Sequence, residues 1–295
     1  MTADTYLASG AIAYPDTDGQ PMTESDPTRD YLIYAVDVLR QYFQSRDQVY
    51  VSGNLFIYYR EGEPGAVVSP DVFVIFGVSK RQRRSYKTWQ EGNKLPAFIL
   101  EITSRSTRRQ DETDKPALYA QLGVQEYFQY DPTADYLSPQ LKGRRRRDGE
   151  YRPIEPHSVA ESSLALRSEV LGLDLRLVAP SPEATTTPPR LAAVAQALRF
   201  FDPQTGEKLL NYAEAQQARR QVEQALGDAE QARQQAEFAL GAAEQARQQA
   251  EQALGEVEQA QLNAAARLLQ RGLLPEEVAD ILDIPLDALL SLGQG

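Results

Sequence analysis

Two apolar stretches, VVSPDVFVIF (67–76) and PAFILEIT (96–103), read as strands buried on both faces, and each carries one carboxylate, Asp71 and Glu101. A carboxylate in such a strand costs several kcal/mol unless something compensates it, and a bound divalent cation is the commonest compensation. The chain must therefore fold so that both acids share one counter-charge. Lys115 follows 14 residues after Glu101. Phosphodiester hydrolysis needs a cation to neutralise developing charge and activate water, and carboxylates on two adjacent strand ends make a seat for it. A lysine beside that seat can orient the attacking water or stabilise the anionic transition state. The trio points to a metal-dependent phosphodiesterase.

Composition removes other chemistries. The 295 residues contain no cysteine, which excludes disulfides, thiolate zinc sites and cysteine nucleophiles, and one histidine, His157, whose EPHSVAES surroundings read as a solvated loop. No apolar run approaches the ~18 residues of a membrane span, and MTADTYLASG lacks the basic start and apolar core of a signal peptide. The expectation is a soluble, cytoplasmic protein with no membrane partner.

Along the chain, PDTDGQP (15–21) is turn-rich, and Asp16 and Asp18 before Gly19 read as turn chemistry rather than a calcium loop, because the later ligands are missing. Residues 26–47 have helical spacing, with Leu32, Ala35, Val38, Leu39 and Phe43 on one stripe and Asp26 or Thr28 as N-cap. Strands follow at 49–59, 67–76 and 97–103, then a helix over 111–123 ending at Gly123 and a short strand at 126–132. Pro116 is tolerated only in a first turn, so this helix should start near Asp114 and leave Asp111 just outside it. Segments 136–143, 150–154 and 166–178 add β-rich decoration. The fold class is α/β: helix, three-stranded meander, helix, strand, with added β-hairpins and a long helical tail.

The formal net charge is −11, unusual for a nucleic-acid binder, but it is unevenly distributed. Residues 205–295 hold 15 acidic and 7 basic side chains, a net of −8, which leaves −3 for the rest. Two basic clusters, Lys80 to Arg84 with Lys87, and Arg144 to Arg147, read as solvated loops or phosphate contacts.

The segments SPDVFVIF, ILEITSRST and DETDKPALYAQLGVQEYFQYDP, the last containing Asp111, Lys115 and Tyr119, resemble the restriction-endonuclease-like Uma-two family of the PD-(D/E)XK nuclease superfamily. The similarity extends to YPDTDGQPM, YVSGNLFIYYREGEP, SEVLGLDLRL and RFFDPQTGEKLL, and so covers roughly residues 10–215. The resemblance implies a restriction-endonuclease-like core, Mg²⁺-dependent DNA cleavage with Mn²⁺ as a substitute, and metal ligation by Asp71 and Glu101. The superfamily pattern expects a lysine two residues after the second acid, where this chain has Thr103. Family resemblance carries that role to Lys115 on the following helix. Asp111 and Thr103 are supporting candidates beside Asp71, Glu101 and Lys115, with Asp111 orienting Lys115 or capping the helix. Tyr119 reads as core packing, and Gln125 and Glu126 as structural.

The tail carries three copies of a 14-residue repeat, QVEQALGDAEQARQ (221–234), QAEFALGAAEQARQ (235–248) and QAEQALGEVEQAQL (249–262). Fourteen residues are two heptads. With Val222 at a, the a and d positions form an alanine seam widened by Leu226, Leu240 and Leu254, while Gly227, Gly241 and Gly255 each cost about 1 kcal/mol in a helix interior. Such a helix is marginal alone and gains from a partner, which reads as a homo-oligomeric, dimerising or tethering coiled coil, with a single, partly frayed spacer helix as the alternative. Residues 263–292 form short amphipathic helices broken at Gly272 and Ile284-Pro285; the acids Glu276, Glu277, Asp280, Asp283 and Asp287 argue against DNA contact there. The expected division is 1–205 nuclease-like domain, 206–262 coiled coil and 263–295 helical element. Two functions fit: a DNA endonuclease, or a nuclease-like module without turnover that binds DNA or protein and is assembled by its tail.

Overall fold

The computed structural model describes residues 12–17, 25–160, 162–179, 196–286 and 289. It divides into two compact units, Met1–Gln216 and Gln217–Gly295. In the first unit, α1 (Asp26–Tyr42) carries the expected stripe: Ala35, Val38, Leu39 and Phe43 are buried. Its cap is neither Asp26 nor Thr28. Ser25 stands in extended backbone and its Oγ accepts from the Thr28 amide at 3.4 Å, because Pro27 already occupies the first turn.

The centre is a six-stranded sheet in the order β1-β4-β6-β7-β8-β9, built from β1 (Val49–Ser52), β4 (Val72–Phe76), β6 (Phe98–Ile102), β7 (Glu126–Tyr130), β8 (Leu141–Arg147) and β9 (Glu150–Pro153). β1, β4 and β6 form the expected antiparallel meander, and β7 returns parallel to β6 after α2 (Lys115–Leu122). The meander strands are shorter than the apolar runs suggest. The first two runs break, giving β2 (Ile57–Tyr58) and β3 (Val67–Val68), which join β5 (Tyr86–Lys87) in a separate three-stranded sheet.

Alternation in the strands sorts the core into two layers. Val72, Val74, Phe98, Leu100, Phe128 and Tyr130 pack with α1 and with a third sheet formed by β10 (Ser162–Ser168), β11 (Leu173–Val178) and β12 (Ala197–Phe201). Phe73, Ile75, Ile99 and Tyr127 face the other way, with Tyr119 of α2 and with Ile57 and Tyr86 of the small sheet. Glu101 has the parity of Ile99, which aims it at the α2 layer.

Residues 80–84 lie in a largely exposed loop, as expected, but the second basic cluster does not. Arg144 to Arg147 lie in β8, where Arg145 Nε meets the fully buried Glu126 at 2.8 Å and Arg147 pairs with Glu169 at 3.1 Å. Glu126 is thus structural, as expected. His157 is not free either: its Nε2 lies 3.3 Å from Asp174 Oδ2, and Arg167 Nε and Arg176 Nη2 reach the same carboxylate at 2.5 and 2.9 Å. Burial works to raise the Asp174 pKa, but hydrogen bonds from Arg176, Arg167 and His157 outweigh it and hold the carboxyl below its ordinary 3.8. A carboxyl depressed on folding contributes stability that is complete above its unfolded value and is lost as pH falls through the folded value. Denaturant midpoints of the wild type should therefore drop as pH falls below the ordinary carboxylate range, and Asp174→Asn should flatten that drop. Parallel curves for the two proteins would show that the cluster is not responsible.

In the second unit, α3 (Tyr212–Gln270) starts within the first unit and runs unbroken through Gly227, Gly241 and Gly255. It ends at Gly272, whose φ of +94° suits a residue without Cβ. α4 (Pro275–Leu282) follows and buries Val278 against Ala265 of α3 and Leu289. The turn residue Asp18, with Gly19, and the acid Asp287 lie outside the described residues.

Candidate active site

The first acid is placed differently from the sequence expectation. Asp71 precedes β4 instead of lying inside it and is half-buried, while Glu101 sits within β6 and is fully buried. β4 and β6 are hydrogen-bonded neighbours, so the start of one lies beside the end of the other. Asp71 Oδ2 accepts from the Ile102 amide at 2.8 Å, and the Asp71 amide points at Glu101 Oε2 from 3.4 Å. A close backbone approach shapes this corner: a Cβ on Gly53 would stand 2.1 Å from the Asp71 carbonyl oxygen, so only glycine fits. Burial, and next the adjacent Glu101 charge, push the Asp71 pKa well above the ordinary carboxylate range.

Lys115 reaches Glu101 of the expected acid pair, and Asp111 beside it. Its Nζ is 2.9 Å from Glu101 Oε2 and 2.8 Å from Asp111 Oδ1. Desolvation opposes its charge, but the Glu101 and Asp111 carboxylates prevail and raise its pKa, so the ammonium stays protonated. A further contact corrects the reading of Tyr119 as core packing. Its hydroxyl, buried under α2, donates to Glu101 Oε1 at 2.9 Å.

Pro116 does not delay the helix. The chain is already helical ahead of α2, and residues Gln110–Asp114 form a π turn, so Asp111 lies inside the helical segment instead of outside it. The physical reason is hydrogen-bond bookkeeping at the proline. The Lys115 amide donates to the Gln110 carbonyl, five residues back, and Pro116 has no N–H to offer. The Asp111 carbonyl is left without a helical donor. β7 supplies two, the Tyr127 hydroxyl at 2.7 Å and Gln129 Nε2 at 2.9 Å. This clamp holds the turn that carries Asp111 and Lys115 towards Glu101.

Thr103, in the place where the superfamily pattern has lysine, donates its hydroxyl to Asp111 Oδ2 at 2.7 Å and also meets the Tyr136 hydroxyl. The five sequence candidates thus come together as one contact set. Gln129 and Tyr127 were missed. Gln129 pairs across from Glu101 and Tyr127 from Ile99, a register that is legible only once β6 and β7 are known to be parallel neighbours. Gln129→Leu should leave the Asp111 carbonyl one donor short in a buried site, costing about 1–3 kcal/mol. Thermal unfolding checks this. An unchanged melting temperature would mean that the clamp is not under load.

For a cation, the described residues offer two carboxylates rather than a cage of three or more acidic, histidine or cysteine side chains. That donor set fits Mg²⁺, which is bound through one or two carboxylates and keeps waters or phosphate oxygens in its other positions. The mutual repulsion that raises the Asp71 pKa is the penalty such a cation would relieve.

Comparison with known proteins covers most, but not all, of the span of the sequence resemblance. The Uma2 family model, described as "Putative restriction endonuclease", matches residues 11–177. The match includes SEVLGLDLRL but stops short of RFFDPQTGEKLL. No curated protein matches the chain. Among solved structures, a crystal structure of a "putative nuclease" from Anabaena variabilis is similar at 16% identity and a TM-score of 0.33, over 49% of this chain and 78% of that one. Since the family match spans more than half of the 295 residues and every strand of the six-stranded sheet, the chain belongs to the Uma2 family.

Proposed function

We propose that the protein is a Mg²⁺-dependent endonuclease that hydrolyses phosphodiester bonds in DNA. The observation that carries this reading is the convergence of Asp71, Glu101 and Lys115, from three different elements, on one corner of the sheet. Asp71 and Glu101 would hold the cation, with Mn²⁺ able to replace it. When bound, it supplies charge neutralisation at the phosphate and makes a water more acidic. Lys115 keeps its charge and offers its N–H groups to the attacking water or to a non-bridging phosphate oxygen. Asp111 and Thr103 hold Lys115, and Tyr119 holds Glu101, so neither group needs to reorganise during reaction. Supercoiled DNA should be nicked when Mg²⁺ or Mn²⁺ is added, and absence of nicking with both metals would refute the reading.

A second reading, a nuclease-like module without turnover, draws on the same lysine. Lys115 is engaged by Glu101 and Asp111 together, as in a buried ion network that serves only the fold. Binding of DNA without nicking by the wild type would favour it.

We further propose that α3 joins two copies of the chain as a coiled coil. Val222, Leu226, Leu240, Leu254 and Val257 lie 55–68% exposed on its a and e positions, a seam whose repeat is self-matching; Phe238, 82% exposed, lies off that seam. Light scattering on the full chain should give twice the monomer mass, and a chain ending at Asn211 should be monomeric. Equal oligomeric states would remove the assembly role.

A further inference from the structure

A groove runs along the outer edge of the central sheet, between the end of α1, β1 and the segment carrying Lys80. It encloses about 540 Å³, lined by residues that include Arg40, Gln44, Tyr50, Ser52, Lys80 and Gln82, and none of its lining side chains is acidic. The basic run at 80–87 looks like one phosphate-binding cluster in the sequence, but the fold disperses it. Arg81 and Arg83 both pair with Glu91, Arg84 pairs with Asp16, and Lys87 lies over the Tyr14 ring. Lys80 is the member left with only a carbonyl partner, Gln44 O at 2.6 Å. Arg40 arrives from α1, far away in sequence. Its Nε donates to Val51 O at 3.0 Å, and its two terminal nitrogens have no acceptor among the described residues.

The groove's lining ends one residue short of the backbone that abuts the candidate metal site. Ser52, at its end, pairs with Phe73 of β4, and the next residue, Gly53, is the one whose backbone abuts the Asp71 carbonyl. The strand between the two ends is four residues long, or about 13 Å, long enough for roughly two adjacent phosphates. We propose that this groove binds the phosphodiester backbone of the substrate strand, with Arg40 and Lys80 as the phosphate contacts, and delivers that strand to the corner of Asp71 and Glu101. The inference rests on the nuclease reading for its substrate class, but binding is measured apart from cleavage.

The test uses the full chain in EDTA and a fluorescent 20-base-pair duplex, with dissociation constants taken across a salt series. Arg40→Gln with Lys80→Gln should raise the constant about tenfold and lower the salt slope by about two, one per lost phosphate contact. Lys80→Glu alone, at an exposed position that folding does not need, should weaken binding in the same direction. Arg152→Gln removes one positive charge at the opposite edge of the sheet and should change binding by less than twofold. Constants and slopes unchanged in both groove variants, an equal loss in Arg152→Gln, or no DNA binding by the wild type would overturn the groove assignment. If the wild type nicks DNA while the groove variants bind normally, the groove fails and the nuclease stands. If the groove variants lose binding while the wild type never nicks, the groove stands and the hydrolytic reading fails.

Discussion

Asp71→Ala and Glu101→Ala should each reduce Mg²⁺-dependent nicking by about 1,000-fold, because a metal-borne charge contribution of about 4 kcal/mol corresponds to three powers of ten in rate. The two variants should differ in stability. Glu101 is fully buried and accepts from Lys115, Tyr119 and the Asp71 amide. Its removal leaves the buried Tyr119 hydroxyl without a partner and Lys115 with Asp111 alone, and should lower the melting temperature. Asp71 repels Glu101 in the metal-free protein, so Asp71→Ala should melt at or above the wild-type temperature while losing activity. Its proton uptake sharpens the comparison. A carboxyl whose pKa is raised by folding gives stability that is present at low pH and is lost as pH rises through the folded value. The metal-free wild type should therefore gain stability as pH falls through that raised value, and Asp71→Asn should abolish that gain. If both alanine variants nick at the wild-type rate, the paired acids are not the metal site.

The second large effect is expected at Lys115. Lys115→Met should cut nicking by about 100- to 1,000-fold, the usual loss of one preorganised electrostatic donor. Lys115→Arg should not restore it, because a planar guanidinium cannot occupy the compact position between Glu101 and Asp111. Loss of the cation also leaves two buried acids facing each other, a penalty of about 3–5 kcal/mol for breaking a buried pair. A divalent cation binding only the folded protein offsets such a penalty by mass action. Mg²⁺ should thus raise the melting temperature of Lys115→Met more than that of the wild type. This shift separates the two readings of the lysine. Equal Mg²⁺ shifts in both proteins, together with undiminished nicking by Lys115→Met, would leave Lys115 a purely structural ion pair.

The difference between the two carboxylates shows how far local sequence reaches. Both are conspicuous as acids in apolar runs, and both do end on one corner. Yet Asp71 lies just ahead of its strand, and only Glu101 is buried within one. The run at 67–76 splits at Ser69-Pro70 because proline cannot donate to the ladder, so β3 turns away into another sheet and β4 begins after the acid. Proline misleads once more at Pro116. Local rules place a helix start there, whereas the structure keeps the helix by widening one turn and satisfying the freed carbonyl from β7. That solution depends on Tyr127 and Gln129 standing beside the helix.

The basic residues make the same point about charge. A run such as Lys80 to Arg84 can be counted in the sequence, but each arginine in it is answered by an acid, Glu91 or Asp16, brought near by the fold. Arg40, which joins Lys80 and Arg83 in the groove, comes from α1, far from them in the sequence.

By itself the sequence showed the core order of helix, three strands, helix and strand, the long tail helix, and Asp71 and Glu101 as misplaced acids, because apolar periodicity and misplaced charge are local signals, while Lys115, Asp111 and Thr103 are singled out through the family resemblance. Only the tertiary structure decided that Lys115 reaches Glu101 past Pro116, that Tyr119 is tied to the same carboxylate, and that β7 carries the clamp. Those contacts depend on the parallel pairing of β6 with β7 and on packing across the sheet, and no spacing along the chain encodes which side chain will stand opposite another.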